Sequence, residues 1–187
     1  LQYICKDWCL ETSSPMKILL QLLFIFLSSI AYSQGTNCAD ADPFCSDTAE
    51  IFPNTTGVAS AEPGPDYGCL GSTPNPAWYY MQVGNAWDIY LTISQESAGG
   101  NGLDVDFICW GPFAELAGSC NALTAANEID CSYSLAAVEN CNIPSAQVGE
   151  YYIVLITNFS GISGTINFQQ TSGAGQTDCT ILLPCFA

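Results

Sequence analysis

The sequence contains no histidine and no arginine, and its two lysines, Lys6 and Lys17, stand near its start. That absence removes whole classes of chemistry. A Ser-His-Asp or Cys-His nucleophile has no base here, and phosphoryl transfer has no cationic clamp. Charge of any sign is scarce, yet eighteen Asp and Glu leave a net charge of -16. Such a chain repels nucleic acid, phosphate and acidic membrane surfaces. Sixteen of those acids lie beyond Ser33, where no basic side chain exists. No side-chain salt bridge can form there, so divalent cations are the natural counter-charges. Paired-carboxylate hydrolysis needs two acids roughly 5 to 9 Å apart. Asp104 and Asp106 would stand rather close for it and no other pair presents itself, so the chain reads as non-enzymatic.

A long apolar run is missing as well. After Met16, Lys17 gives a positive start and Ile18 to Leu27 an apolar stretch, with Ala31-Tyr32-Ser33 as small residues around a cleavage site. That stretch is well short of the roughly 20 residues of a spanning helix. Residues 16–33 therefore read as a secretory signal peptide, with the mature chain expected to start at Gln34 and to contain no membrane span. Residues 1–15 precede the first methionine and read as non-native upstream translation. The expected location is outside a bacterial cell, secreted or held at its surface.

Cysteine, by contrast, is plentiful: Cys38, Cys45, Cys69, Cys109, Cys120, Cys131, Cys141, Cys179 and Cys185 all follow Gln34. In an exported chain this density reads as disulfides. A zinc set fails on spacing, because there is no C-x-x-C pair and no histidine to complete one. The first eight are the candidates, in about four bridges whose pairing sequence cannot fix. Short loops favour Cys38 with Cys45 and Cys131 with Cys141. Cys185, the odd one, is expected to pair beyond Ala187, and residues 171–187 read as a linker to a downstream region.

Residues 34–76 are rich in Pro, Gly, Asn, Asp and Thr and predict loop with one short edge strand near Ile51-Phe52. From Ala77 the pattern turns to β. Trp78 to Val83 is an aromatic strand, and Asp88 to Ser94 alternates with Ile89, Leu91 and Ile93 on one face, so the two together predict a hairpin. Leu103 to Trp110 makes a third strand, halted by Gly111-Pro112. Residues 113–147 predict a disulfide-pinned excursion with single helical turns. Glu150 to Asn158 is the most apolar strand and is predicted to be central, and Thr165 to Gln170 follows it. No helix of useful length appears. The fold expected for residues 77–170 is all-β, a jelly-roll-like β-sandwich.

Two groups of residues are candidate sites. Asp104 and Asp106 are two apart on a strand and share a face, close enough to grip Ca²⁺ together. The plainer reading makes them the solvent-facing half of an alternating strand. Trp87 and Trp110, with Trp78, Tyr80 and Tyr90, could stack sugar rings, although packing is the commoner fate of strand aromatics.

The order Trp78-Tyr79-Tyr80, Ile89 to Ser94, Asp104-Val105-Asp106-Phe107, Gly149 to Val154 and Gly164 to Phe168 resembles the bacterial pre-peptidase C-terminal domain. The cysteine-bearing excursion at 113–147 departs from that family's compact core. Asp66-Tyr67-Gly68-Cys69, Pro74 to Tyr80, Asp104 to Phe113, Asp130 to Ser134 and Tyr152 to Asn158 also resemble a cysteine-containing domain that follows the signal peptide in large surface proteins of Bacteroidetes, associated with gliding motility and type IX secretion. The resemblance implies a non-enzymatic module of a multidomain, adhesin-like protein that meets an extracellular glycan or protein surface. The alternative is an accessory domain of a secreted hydrolase.

Overall fold

The computed structural model describes residues 35–46 and 50–182. The expected upstream stretch 1–15, the signal peptide, the start at Gln34, and Cys185 lie outside the described residues. Among the described residues the only helices are 3₁₀ turns of three or four residues, and no helix is long and apolar enough to cross a membrane.

Among the described residues ten strands form two sheets: β1 (Asp42–Pro43), β2 (Glu50–Pro53), β3 (Pro76–Asn85), β4 (Trp87–Ser97), β5 (Val105–Phe113), β6 (Glu128–Ser132), β7 (Val138–Ala146), β8 (Tyr151–Asn158), β9 (Gly164–Ser172) and β10 (Gln176–Thr177). The first sheet runs β1-β3-β8-β5-β6 with β10 also on β3, and the second runs β2-β9-β4-β7. Every pairing is antiparallel except that of β1 with β3. Strands pair as nested partners, β2 with β9, β3 with β8, β4 with β7 and β5 with β6. That nesting is one long antiparallel ribbon rolled over itself, which is a jelly roll. β8 lies between β3 and β5, which is where its unbroken apolar run belongs, since both of its faces are covered.

Two layers of core follow from this. Between the sheets pack Tyr79, Met81, Ile89, Leu91, Phe107 and Phe168 with their neighbours, all fully buried. Phe44 stacks on Phe168 at 4.4 Å between ring centroids. On the outer face of the first sheet a second cluster gathers Trp78, Ile108, Trp110, Ile153 and Leu155. Loop segments cover it: Leu70, Ala61 and Leu123 close over the two tryptophans, and Asp66 N–H donates to the Leu123 carbonyl at 2.9 Å. Disulfides Cys38–Cys120 and Cys69–Cys131 hold that cover down, and Cys45–Cys179 ties the chain's two described ends.

Several expectations are corrected. The hairpin over Trp78–Ser94 does not exist, for β3 and β4 follow each other in sequence but enter opposite sheets. The connection turns sharply at Trp87, whose φ is 105°. Alternation reports which face is buried, not which strand lies alongside. The short-range pairings Cys38–Cys45 and Cys131–Cys141 are replaced by bridges 62 to 134 residues apart. Cys131 lies in the cluster on the outer face of the first sheet, whereas Cys141 points into the inter-sheet core. For the excursion at 113–147 the sequence predicts turns at 113–116 and 122–126; Phe113 instead ends β5, and the 3₁₀ turns lie at Ser119–Ala122 and Ala125–Asn127, followed by the strands β6 and β7. Within the stretch read as linker, β9 continues to Ser172, β10 pairs with β3 and Cys179 is bridged, so residues 171–182 are built into the domain.

Candidate cation-binding site

Asp106 stands on β5 on the same outward face as Ile108 and Trp110. The β6–β7 connection folds across that end of the sheet. Ser134 N–H donates to Asp106 Oδ1 at 3.1 Å, and Val105 N–H donates to the Ala136 carbonyl at 3.0 Å. As a result Asp106 is only 1% exposed, which replaces the solvent-facing reading of this strand face. Its Oδ2 is buried and makes no well-aligned hydrogen bond, the Thr157 hydroxyl directly opposite on β8 being its uncharged polar neighbour, and Oδ1 of Asp104 just before the strand is buried without a hydrogen-bonded partner. A carboxylate oxygen so placed is a costly thing to bury.

The two acids line one cavity of about 120 Å³ together with Tyr133, Ser134, Leu135 and Phe159. That space is many times the roughly 10–15 Å³ a single water needs. Its rim is apolar and open: Leu135 is 90% exposed, and Tyr133 and Phe159 are nearly half exposed. Glu139 on β7 adds a third negative charge nearby, its carboxylate taking the Ser134 hydroxyl proton in a hydrogen bond. Burial first, and then the Asp104 charge, push the Asp106 carboxyl up to about 6, against the pull of the Ser134 N–H and the Thr157 hydroxyl. Asp104 is raised for the same leading reason, with Glu139 adding to it. Among the described residues no three acids or thiols converge in metal-binding geometry. A metal ion held here would take two carboxylates and complete its shell with backbone oxygens and water.

Spacing brought Asp104 and Asp106 to notice, but Tyr133, Ser134, Leu135, Phe159 and Glu139 come from distant loops and strands. No periodicity marks them. The aromatic candidates divide. Trp110 is fully buried, stacked on Trp78 at 5.7 Å with planes 14° apart, and its Nε1–H donates to the Asp66 carbonyl at 3.2 Å. It packs the core and offers no sugar platform. Trp87 is 69% exposed at the sheet corner.

Taken with the fold, this defines a disulfide-bonded, all-β jelly-roll domain. No protein-family model matches the sequence, and no curated protein matches it. Among solved structures it is similar to the pre-peptidase C-terminal domain of collagenase from Bacillus anthracis, at 12% identity and a TM-score of 0.39, covering 70% of this chain and 94% of that one. It is also similar to CorA of Methylomicrobium album BG8, described as a surface-associated copper-binding protein important in copper acquisition. There the identity is 8% and the TM-score 0.41, covering 70% of this chain and 96% of that one. Neither likeness bears on the cavity.

Proposed function

We propose that this domain is a non-enzymatic extracellular module of a bacterial surface protein, serving adhesion or spacing, and that the Asp104–Asp106 cavity takes a cation supplied from outside the chain. The observation that carries the reading is the buried Asp106 carboxylate, with only the Ser134 N–H and the Thr157 hydroxyl to help it, beside the unpaired Oδ1 of Asp104, in a stretch of sequence with no Lys, Arg or His to neutralise them. Three disulfides are the chemistry of an oxidising compartment, which supports the extracellular placement. The likeness of Asp66–Cys69, Asp104–Phe113 and Asp130–Ser134 to surface modules of Bacteroidetes supports the adhesin-like role.

Calcium is the proposed ion, held by the two carboxylates with backbone oxygens and water. The apolar rim of Tyr133, Leu135 and Phe159 equally suits the alkyl stem of a lysine or arginine from a partner surface. Calorimetric titration of the EDTA-treated domain with Ca²⁺, and separately with n-butylammonium, distinguishes the two sources. Saturable calcium binding that Asp106→Asn abolishes supports the ion, and butylammonium binding alone transfers the site to a partner's basic side chain. No binding of either removes the cation site. A glycan platform is not carried forward, because Trp87 has lost Trp110 as its partner ring.

A further inference from the structure

Two cysteines have no place in the three bridges: Cys109 and Cys141, both fully buried and both thiols. Cys109 sits on β5 in the first sheet, opposite Val154 and Asp130, and Cys141 sits on β7 in the second, opposite Leu91. Their side chains point toward each other across the inter-sheet core, and the Cys141 S–H donates to the Cys109 sulfur. That hydrogen bond, and then burial, raise the Cys141 thiol well above its ordinary range. A thiol held protonated in an apolar core is neither a nucleophile nor a metal ligand. Among the described residues no third ligand joins the pair.

We infer that Cys109 and Cys141 are joined by a fourth disulfide that staples the two sheets through the core. The pairing goes beyond the cation-site reading and does not depend on it. None of the three other bridges joins a residue of one sheet to a residue of the other: Cys38–Cys120 and Cys69–Cys131 fasten the outer cover to itself or to β6, and Cys45–Cys179 joins two segments outside the strands. Between the sheets the sandwich is otherwise held by packing and by non-covalent links such as the Asn142 N–H donated to Asp130 Oδ2 at 2.7 Å. A chain that forms three disulfides meets an oxidant while folding, and a native register that brings these two sulfurs together as the sheets close makes them the pair left to bond.

The reaction is thiol–disulfide exchange with a disulfide-form donor, either a thiol oxidoreductase or a small disulfide such as oxidised glutathione. The Cys109 thiolate attacks a donor sulfur, expelling one donor thiolate and leaving a mixed disulfide. The Cys141 thiolate then attacks the Cys109 sulfur and expels the second. Two thiols become one disulfide, the donor becomes two thiols, and protons lost by the cysteines pass to the departing thiolates. Neither thiol is reachable in the closed sandwich, so exchange belongs to the stage before the sheets meet.

The test is a site-resolved map of the full chain produced by export into an oxidising compartment. The protein is denatured without reductant, exposed to iodoacetamide, digested and analysed by mass spectrometry. Only molecules containing Cys38–Cys120, Cys45–Cys179 and Cys69–Cys131 are scored, which makes those bridges the internal control. The expected result is one cross-linked species containing Cys109 and Cys141, lighter by two hydrogens than the reduced pair, with neither site alkylated. Alkylation of both sites, or a bond from either to any other thiol, overturns the inference. In Cys141→Ala the Cys109 site becomes alkylatable while the three control bridges persist; failure of that variant to fold leaves the wild-type map decisive. Calcium binding can fail with the staple present, and the staple can fail with calcium bound, so the two readings fall separately.

Discussion

The two sheets of this domain meet water differently. The second sheet is a surface: β4 alternates buried Ile89, Leu91 and Ile93 with half-exposed Tyr90, Thr92 and Ser94. The first sheet is a middle layer, with β8 buried from Tyr152 to Asn158 and β5 buried at every position from Val105 to Gly111. An alternating strand needs one hydrophobic face, whereas a strand covered on both sides must be apolar throughout or must satisfy the polar groups it buries. Among the described residues Asp106 is the one carboxylate buried within the middle layer, its strand neighbours on that face isoleucine and tryptophan and its cross-strand neighbour Thr157. That contrast locates the site: an acid on the second sheet's outer face would be unremarked surface, but on the covered face it calls for a partner.

The largest test of the contrast is truncation of an aromatic in the outer cluster. Trp110→Ala is expected to cost about 4 kcal/mol by urea unfolding, within the range for emptying a packed site. A cost typical of surface substitutions would mean that the loop cover does not seal the first sheet. Next comes the cover's fastening. Replacing both Cys38 and Cys120 with alanine removes a bridge spanning 82 residues and is expected to lower stability by about 2–4 kcal/mol, measured by the same unfolding curves; an unchanged midpoint would place the cover's stability in packing alone.

Third is the buried acid. Asp106 has a folded value of about 6 against an ordinary 3.8, so the folded state binds more protons between those pH values. Its contribution favours folding at low pH and is lost as pH rises through about 6. In cation-free buffer at pH 7.5, Asp106→Asn is therefore expected to stabilise the domain by about 1–2 kcal/mol. The gain shrinks toward zero near pH 4, and thermal unfolding of both proteins across pH 4–8 checks it. A difference independent of pH would show that the carboxylate is not held against ionisation. The smallest effect belongs to the open sheet: Thr92→Ala, which loses only exposed hydrogen bonds to Asn140 and Thr171, is expected to move stability by less than about 0.5 kcal/mol. A cost comparable to that of Trp110→Ala would abolish the distinction between the sheets.

Much of the architecture was legible because burial writes itself into residue type. The apolar run of 151–158 marked a strand covered on both faces, the alternation of 88–94 marked one covered on a single face, and Gly and Pro marked the corners. The covering of Trp110 was not legible, because what hides it is Leu70, Ala61 and Leu123, remote in sequence. Strands β6 and β7 escaped for a related reason. Val138–Ala146 has only three buried residues, Cys141, Ile143 and Ala146, too few to stand out from a loop.

By itself, the sequence determined that the chain is β-rich, acidic with no basic side chain after Lys17, and supplied with cysteines suited to an oxidising compartment. Those are properties of composition and short-range periodicity, which need no knowledge of contacts. Only the tertiary structure decided which strands share a sheet, which cysteines meet, and that Asp106 is buried while Trp87 is not. The rolled ribbon brings together residues more than a hundred positions apart, and side-chain pairing across it depends on register and sheet membership rather than on spacing along the chain.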